Sequence, residues 1–174
     1  MLEITGLDEF IRDIQDQRFW DALGQAILIR LHDIGLEKAQ LKFANIQYAG
    51  TLAWVDITAQ VTGNTAEIRA SGFQVLFIEF GTGIRYENPH MEDFGFFAGS
   101  YGQGKGVNEQ GWWYRGTPQP NDPPDTTRSR WSNTGTPIMH TYGSPANMPM
   151  YETQKELEDE LVNIVREALN DTKA

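Results

Sequence analysis

The residue types that could do chemistry are concentrated in the middle of the chain, between residues 84 and 142. Residues 99–106, Gly-Ser-Tyr-Gly-Gln-Gly-Lys-Gly, nearly spell a phosphate-binding loop, which is Gly-x4-Gly-Lys followed by Ser or Thr. The last position is glycine, which lacks the hydroxyl that holds magnesium, and no apolar strand leads into the loop. The pattern therefore favours a flexible glycine-rich segment over a nucleotide site.

His90, Glu92 and Asp93 could ligate a divalent metal ion, with His140 as a further ligand. A metal site needs three or four ligands that are aimed in advance and oriented by surrounding hydrogen bonds. Here the ligands lie on backbone that is expected to be irregular, and the chain has no cysteine. We interpret them as surface polar residues and expect neither a metal nor a cofactor.

Three tryptophans, Trp112, Trp113 and Trp131, share this segment with carboxylates such as Glu109. Aromatic faces stack on sugars, and paired carboxylic acids cleave glycosidic bonds. A catalytic pair must be held rigidly by its scaffold, but these acids lie where the least scaffold is predicted. We therefore expect no enzyme activity, and we keep a carbohydrate-binding or carbohydrate-active module as the alternative function.

Glu79 lies at the end of an apolar run, so its carboxylate is expected to be partly buried and to need a partner. We predict that it accepts hydrogen bonds from backbone amides of the turn that follows it, or pairs with Arg69 or Arg85. Either contact fixes the point at which the middle segment leaves the domain. The residues of this structural turn are Gly81, Thr82 and Gly83.

The helices that must position these residues are predicted from apolar residues at helical spacing. One amphipathic helix is predicted over residues 7–14, and a second over 20–34 that ends near Gly35, where glycine can close a helix. A short helix is expected at 73–80. The last helix is introduced by Pro149, which suits a first helical turn, and its apolar stripe continues to the end of the chain.

Strands are predicted from alternation with period two. Residues 51–71 alternate and turn at Gly63 and Asn64, which predicts a hairpin, and residues 41–48 are expected to add a third strand. The fold class is therefore α+β. We expect a small antiparallel sheet of three or more strands that packs with two N-terminal helices and a C-terminal helix.

The chain has 174 residues and a formal net charge of -10. This length predicts a single domain over residues 1–174. Sequence-specific nucleic-acid binding is not expected, because it relies on clustered Lys and Arg, although an acidic wall would let a duplex pass without binding. No window reaches the ~18 apolar residues that a membrane span needs, and no leader is recognised, so we expect a soluble protein made in the cytoplasm.

Residues 84–142 hold half of the aromatic residues of the chain, but they show no convincing helix or strand pattern. Long structureless segments are usually functional or disordered, and disordered segments are poor in aromatic residues. We therefore predict an inserted interaction arm, residues 84–142, that other subunits bury. Its expected contact residues are Trp112, Trp113, Tyr114, Arg115, Arg130, Trp131, Met139 and Tyr142.

Two short signatures flank this arm: residues 77–83, Phe-Ile-Glu-Phe-Gly-Thr-Gly, and residues 143–151, Gly-Ser-Pro-Ala-Asn-Met-Pro-Met-Tyr, of which residues 146–151 carry the resemblance described next. Their order among the predicted elements is similar to that of the tail-component family of long-tailed bacteriophages. The first signature resembles that family's run of Val or Ile, Glu, Phe, Gly and Thr. The second resembles its stretch of small residues and proline before the last helix. The arm is longer here than in many members of that family.

The resemblance implies a structural virion protein of the neck or upper tail, which acts in head–tail joining or tail completion and is made in the host cytoplasm. It implies a homo-oligomeric ring, for which six or twelve subunits are the candidates. Connector or head-completion proteins are the expected neighbours on one side, and tail terminator or tail tube proteins on the other. DNA would pass through passively, and no membrane is involved.

Overall fold

The computed structural model describes residues 15–46, 55–72, 74–83, 85–86, 90, 92–95, 109–116 and 127–172, with side chains from residue 131 onward in the last range. These residues have an α+β architecture, as expected. None of the described helices is long and apolar enough to cross a membrane. The elements in chain order are α1 (Gln17–Asn45), β1 (Asp56–Thr62), β2 (Thr65–Ser71), α2 (Val75–Phe80), a 3-10 turn (Glu92–Phe94), β3 (Trp112–Arg115), β4 (Thr127–Trp131), β5 (Pro137–Thr141) and α3 (Pro149–Thr172).

The chain divides into two compact units, and each is assembled from separate stretches of sequence. The first unit comprises Met1–Lys38, Thr58–Arg69 and Gln154–Ala174. The second comprises Ala39–Ile57 and Ala70–Thr153. The predicted arm therefore belongs to the second unit, together with the end of α1 and the start of α3.

Helix α1 is longer than predicted. The expectation that it ends near Gly35 is wrong, because the helix continues to Asn45. Gly35 is buried, and a Cβ atom at this position would overlap Cδ1 of Ile68 on β2 and lie 3.1 Å from Cδ1 of Leu157 on α3. A methyl group here would force the side chains of Ile68 and Leu157 to shift, so glycine favours close packing inside the first unit, and it does not close the helix.

The predicted strand over residues 41–48 is also wrong, because residues 41–45 complete α1. Ala39 and Phe43 lie four residues apart, on one helix face, and are 0% and 2% exposed. Phe43 packs with Val75 and Ile78 in the core of the second unit. The apolar residues of 41–48 did not decide between helix and strand. Burial of the helix face that carries Ala39 and Phe43 favours the helix. The predicted helix over residues 7–14 lies outside the described residues.

The predicted hairpin is confirmed by strands β1 and β2, which pair with each other and turn at Gly63 and Asn64. Along β1 the side chains alternate between exposed and half-buried, as expected for a strand with one face toward the core. Gly63 has a φ of +58°, a conformation that glycine adopts without steric cost.

A second sheet, in the order β3-β5-β4, lies within residues 84–142. The expectation that this segment lacks regular structure is therefore wrong for these strands. They were missed because they are short, β5 begins with proline, and one of its buried residues is polar. Strand β5 pairs with both neighbours in antiparallel fashion. Its buried residues are Pro137, Met139 and Thr141, and its half-buried residues are Ile138 and His140.

We expect substitution by alanine to have opposite effects on stability at the two glycines of α1. A Cβ atom at Gly24 would meet nothing within 4 Å, so Gly24→Ala should stabilise the chain by about 1 kcal/mol through helix propensity. At Gly35 the same gain is offset by overpacking, which costs about 1–3 kcal/mol. Thermal unfolding of both variants checks this ranking. A Gly35→Ala variant that melts above Gly24→Ala would contradict it.

Candidate interaction site

The two signatures that flank residues 84–142 pair with each other. Thr82 and Ser144 form an antiparallel bridge, in which the Thr82 amide donates to the Ser144 carbonyl at 2.9 Å and the Ser144 amide donates to the Thr82 carbonyl at 3.2 Å. Their hydroxyl oxygens are 3.0 Å apart. We call residues 78–83 and 143–151 the clasp. It closes the base of the middle segment, so both ends of that segment lie together.

Three glycines allow the two strands of the clasp to approach each other. Gly81, Gly83 and Gly143 have φ values of +71°, +84° and +115°. A Cβ atom at Gly81 would lie 2.6 Å from the carbonyl oxygen of Ser144, and one at Gly143 would overlap the backbone of Thr82. Backbone atoms cannot move aside as a flexible side chain can. The Gly-Thr-Gly turn therefore needs glycine for both its φ angles and its close contacts.

Glu79 connects the clasp to the start of α3. Its carboxylate accepts hydrogen bonds from the amide of Met150 at 3.0 Å and from the amide of Tyr151 at 2.8 Å. The first amides of a helix have no partner within the helix, and a negative charge is favourable there. The carboxylate thus accepts hydrogen bonds from backbone amides, as expected. The prediction that the donors are the amides of residues 81–83 is wrong, because the donors belong to Met150 and Tyr151. Among the described residues, neither Arg69 nor Arg85 pairs with Glu79.

The Glu79 side chain is buried, with the residue 6% exposed. Burial raises the pKa of this carboxyl above its ordinary value, because the charged form loses hydration. The amides of Met150 and Tyr151 oppose the shift, and the nearby negative charge of Glu152 adds to it. The clasp therefore contains a carboxyl group whose ionisation is coupled to folding.

A row of side chains lies on and beside the second sheet. It consists of exposed Trp113 and Arg85 and half-buried His140 and Tyr142, and we call these four residues the aromatic row. Trp113 and His140 face each other across β3 and β5, with ring centroids 4.4 Å apart. The Tyr142 ring lies edge-on to His140 at 4.8 Å. The Arg85 guanidinium carbon is 4.1 Å from the centre of the Tyr142 ring, a cation–π distance. The row joins the sheet to the end of the clasp.

His140 is held in a single orientation. Its Nε2 atom lies 2.7 Å from the carbonyl oxygen of Gln110. A carbonyl can only accept, so Nε2 must carry the hydrogen. Gly111, with a φ of +71°, brings this carbonyl close, and a Cβ atom there would lie 3.0 Å from the ring of His140. The imidazole therefore supports the Trp113 ring from a fixed position.

The residues considered as metal ligands do not come together in the described part of the chain. His90 stacks on Tyr151 with ring centroids 4.4 Å apart, and its Nδ1 atom is 3.4 Å from Oδ2 of Asp93. His140 belongs to the aromatic row. Among the described residues, no group of three or more His, Asp and Glu side chains is arranged to hold a metal ion.

The expected contact residues separate into exposed and buried ones. Trp113 and Trp131 are 52% and 58% exposed, and Arg115 is exposed as well. Trp112, Tyr114 and Tyr142 are half-buried. Met139, in contrast, is 1% exposed and is a core residue of the second unit. Arg130 pairs with Ile138 through the backbone, and its side chain lies outside the described atoms.

The sequence analysis gave Arg85 and His140 other roles, as a partner of Glu79 and as a metal ligand, and assigned no contact to Ser144. The signal for His140 was the alternation along β5, which places it two residues from Ile138 on the same face. Arg85 and Ser144 left no local signal, because their roles depend on partners about 60 residues away along the chain. No known family model, curated protein or solved structure matches the chain.

Proposed function

We propose that the chain is a structural protein of the neck or upper tail of a long-tailed bacteriophage, acting in head–tail joining or tail completion. The two signatures that carry the family resemblance support this, since they contact each other: the amide of Asn147 donates to the carbonyl of Ile78 at 2.9 Å, and the amide of Met148 donates to the carbonyl of Glu79 at 3.2 Å. Because the two signatures contact each other, they are better explained as parts of one structural feature than as two unrelated matches. The virion is then the site of action.

The observation that carries the proposal is the exposure of large aromatic side chains on the second sheet. Trp113 and Trp131 are 52% and 58% exposed, although burying such side chains is strongly favourable. Interfaces between proteins are enriched in Trp, Tyr and Arg, and a few such anchors supply most of the binding energy. The sheet is thus the proposed contact surface, formed by the arm that the sequence predicted.

The proposed neighbours are other copies of the chain in a ring of six or twelve subunits, connector or head-completion proteins on one side, and tail terminator or tail tube proteins on the other. The formal net charge of -10 suits a wall past which DNA slides without binding. In this role the protein needs no catalytic group, metal or cofactor.

Trp113→Ala should weaken self-association by about 2 kcal/mol, roughly 30-fold in Kd, if the indole is an interface anchor. Analytical ultracentrifugation and joining of purified heads to tails measure the two consequences. Ile29 is 52% exposed, like Trp113, but lies on α1, so Ile29→Ala is the matched control. Equal assembly of both variants would contradict the proposal.

The alternative function, carbohydrate binding, has one supporting observation. The exposed Trp113 ring is held by His140 at 4.4 Å between centroids, and a fixed indole face can stack on a sugar. Glycan binding by the monomer that Trp113→Ala abolishes, with assembly unchanged, would favour this alternative.

A further inference from the structure

One glycine on α1 is not explained by packing against the described residues of the chain. Glycine in a helix interior is unfavourable compared with alanine. Gly35 is justified by the side chains of Ile68 and Leu157, which a Cβ atom would meet. Gly24 lies on the same helix, but a Cβ atom there would meet nothing within 4 Å. Among the described residues, the space over Gly24 is therefore open, and a side chain from a second molecule could enter it.

Gly24 forms the floor of an open groove in the first unit, with a volume of about 390 Å³. Sites of roughly 300–1,000 Å³ hold whole small ligands, so this groove is large enough for one indole side chain. The Gln25 side chain donates to the carbonyl of Gly63 at 3.2 Å, which holds the β1–β2 turn against the helix. The groove is lined by Trp20, Asp21, Gly24, Gln25, Leu28 and Asn64.

The charge at the groove is negative. Asp21 is exposed and accepts a hydrogen bond from the Gln17 side chain at 3.0 Å. The neighbouring cation, Arg18, pairs with Asp16 at 2.7 Å. Among the described residues, no Lys or Arg forms an ion pair with Asp21. The groove thus combines the apolar side chains of Trp20, Ile27 and Leu28 with a carboxylate.

The second sheet has the complementary character. Strands β3, β4 and β5 contain Arg115, Arg128 and Arg130 and no acidic residue, although the whole chain has a net charge of -10. Trp113 and Arg115 are both exposed and lie two residues apart, on the same face of β3. Their spacing along the strand is about 6.8 Å, close to the roughly 5–6 Å between positions 21 and 24 on a helix.

We propose that the groove over Gly24 receives Trp113 of a second copy of the chain, and that Arg115 of that copy pairs with Asp21. This inference rests on the proposed function, because it specifies how copies contact each other. The two surfaces are different, so the contact is head-to-tail, and such contacts generate rings when the rotation closes. An indole in a pocket with a charge pair at its rim is the usual form of an interface anchor.

Blocking the groove tests the inference. Gly24→Leu places a larger side chain over the helix, where a Cβ atom meets nothing within 4 Å, and it should weaken self-association at least tenfold in sedimentation while circular dichroism stays unchanged. Ile29→Ala is the control on the same helix. If Trp113→Ala weakens assembly but Gly24→Leu does not, the proposed function stands and the groove contact is overturned. A wild-type chain that stays monomeric at high concentration overturns both.

Two further experiments identify the pair. Asp21→Arg and Arg115→Asp should each weaken association, and the double variant should recover most of it; no recovery overturns the pairing. The chain has no cysteine, so Asp21→Cys mixed with Arg115→Cys should form a mixed dimer with a short bis-maleimide cross-linker, since an ion pair of Asp with Arg separates the two Cβ atoms by more than a disulfide spans. Each variant chain carries a single cysteine, so every covalent link must join two different copies. Failure of the mixture to exceed the self-linked products of each variant alone overturns the contact.

Discussion

Gly143→Ala is expected to cost roughly 3–5 kcal/mol of the free energy of unfolding, because the new methyl group combines backbone strain with lost hydrogen bonds. Gly143 has a φ of +115°, and its Cβ atom would overlap the carbonyl group of Thr82. That carbonyl accepts the amide of Ser144 at 3.2 Å, so the clasp cannot yield without breaking its bridge. A typical domain has only about 5–15 kcal/mol in total.

Gly135→Ala is the matched control in the same unit. Gly135 lies in the turn between β4 and β5 with a φ of +77°, but a Cβ atom there would meet nothing within 4 Å. Gly135→Ala should therefore lower the free energy of unfolding only through the left-handed backbone conformation, by about 1–2 kcal/mol. Urea denaturation followed by tryptophan fluorescence measures both variants. Equal losses would show that the close approach at Gly143 contributes nothing.

Glu79→Ala is expected to destabilise the chain by roughly 2–4 kcal/mol, because it leaves the part-buried amides of Met150 and Tyr151 without their acceptor. The loss should appear as premature melting of the α3 start in hydrogen exchange, with the first sheet less affected. Glu79→Gln keeps one acceptor oxygen but turns a donor toward the other amide, so an intermediate loss is expected. A melting temperature unchanged by Glu79→Ala would contradict the assigned role.

The pH dependence of stability provides a separate test of Glu79. Its pKa in the folded chain is raised above the ordinary value of 4.5, mainly by burial. The folded state therefore holds the proton to a higher pH than the unfolded state, and the stability gained from protonation is lost as pH rises from 4.5 through the folded pKa. Glu79→Gln should remove this decline. An identical slope in wild type and Glu79→Gln would show that another group titrates.

The clasp gives the proposed interaction surface a defined base. It holds the two ends of the middle segment together through Thr82 and Ser144. Arg85 and Tyr142, which follow Gly83 and precede Gly143 closely in the chain, make a cation–π contact that belongs to the aromatic row. A perturbed clasp should therefore reduce assembly indirectly, through the position of the sheet. Trp113→Ala acts directly on the surface and should leave unfolding by urea nearly unchanged.

The sequence by itself determined the elements that rest on local periodicity. The β1–β2 hairpin and α3 show one apolar face at a constant spacing, and burying that face is enough to select the element. The need of Glu79 for buried partners also followed from its apolar neighbours alone. The α+β class and the importance of the Gly-Thr-Gly turn were predictable for the same reason.

Only the tertiary structure decided which distant residues meet. The amides that bind Glu79 lie 71 and 72 residues further along the chain, Gly35 is glycine because of Ile68 and Leu157, and Met139 is a core residue because β5 lies between two other strands. Local patterns report which side of an element is buried, whereas these contacts depend on how separate elements pack. Strands β3, β4 and β5 are stabilised by pairing with each other, so their individual sequences contain little of the alternation that would predict a strand.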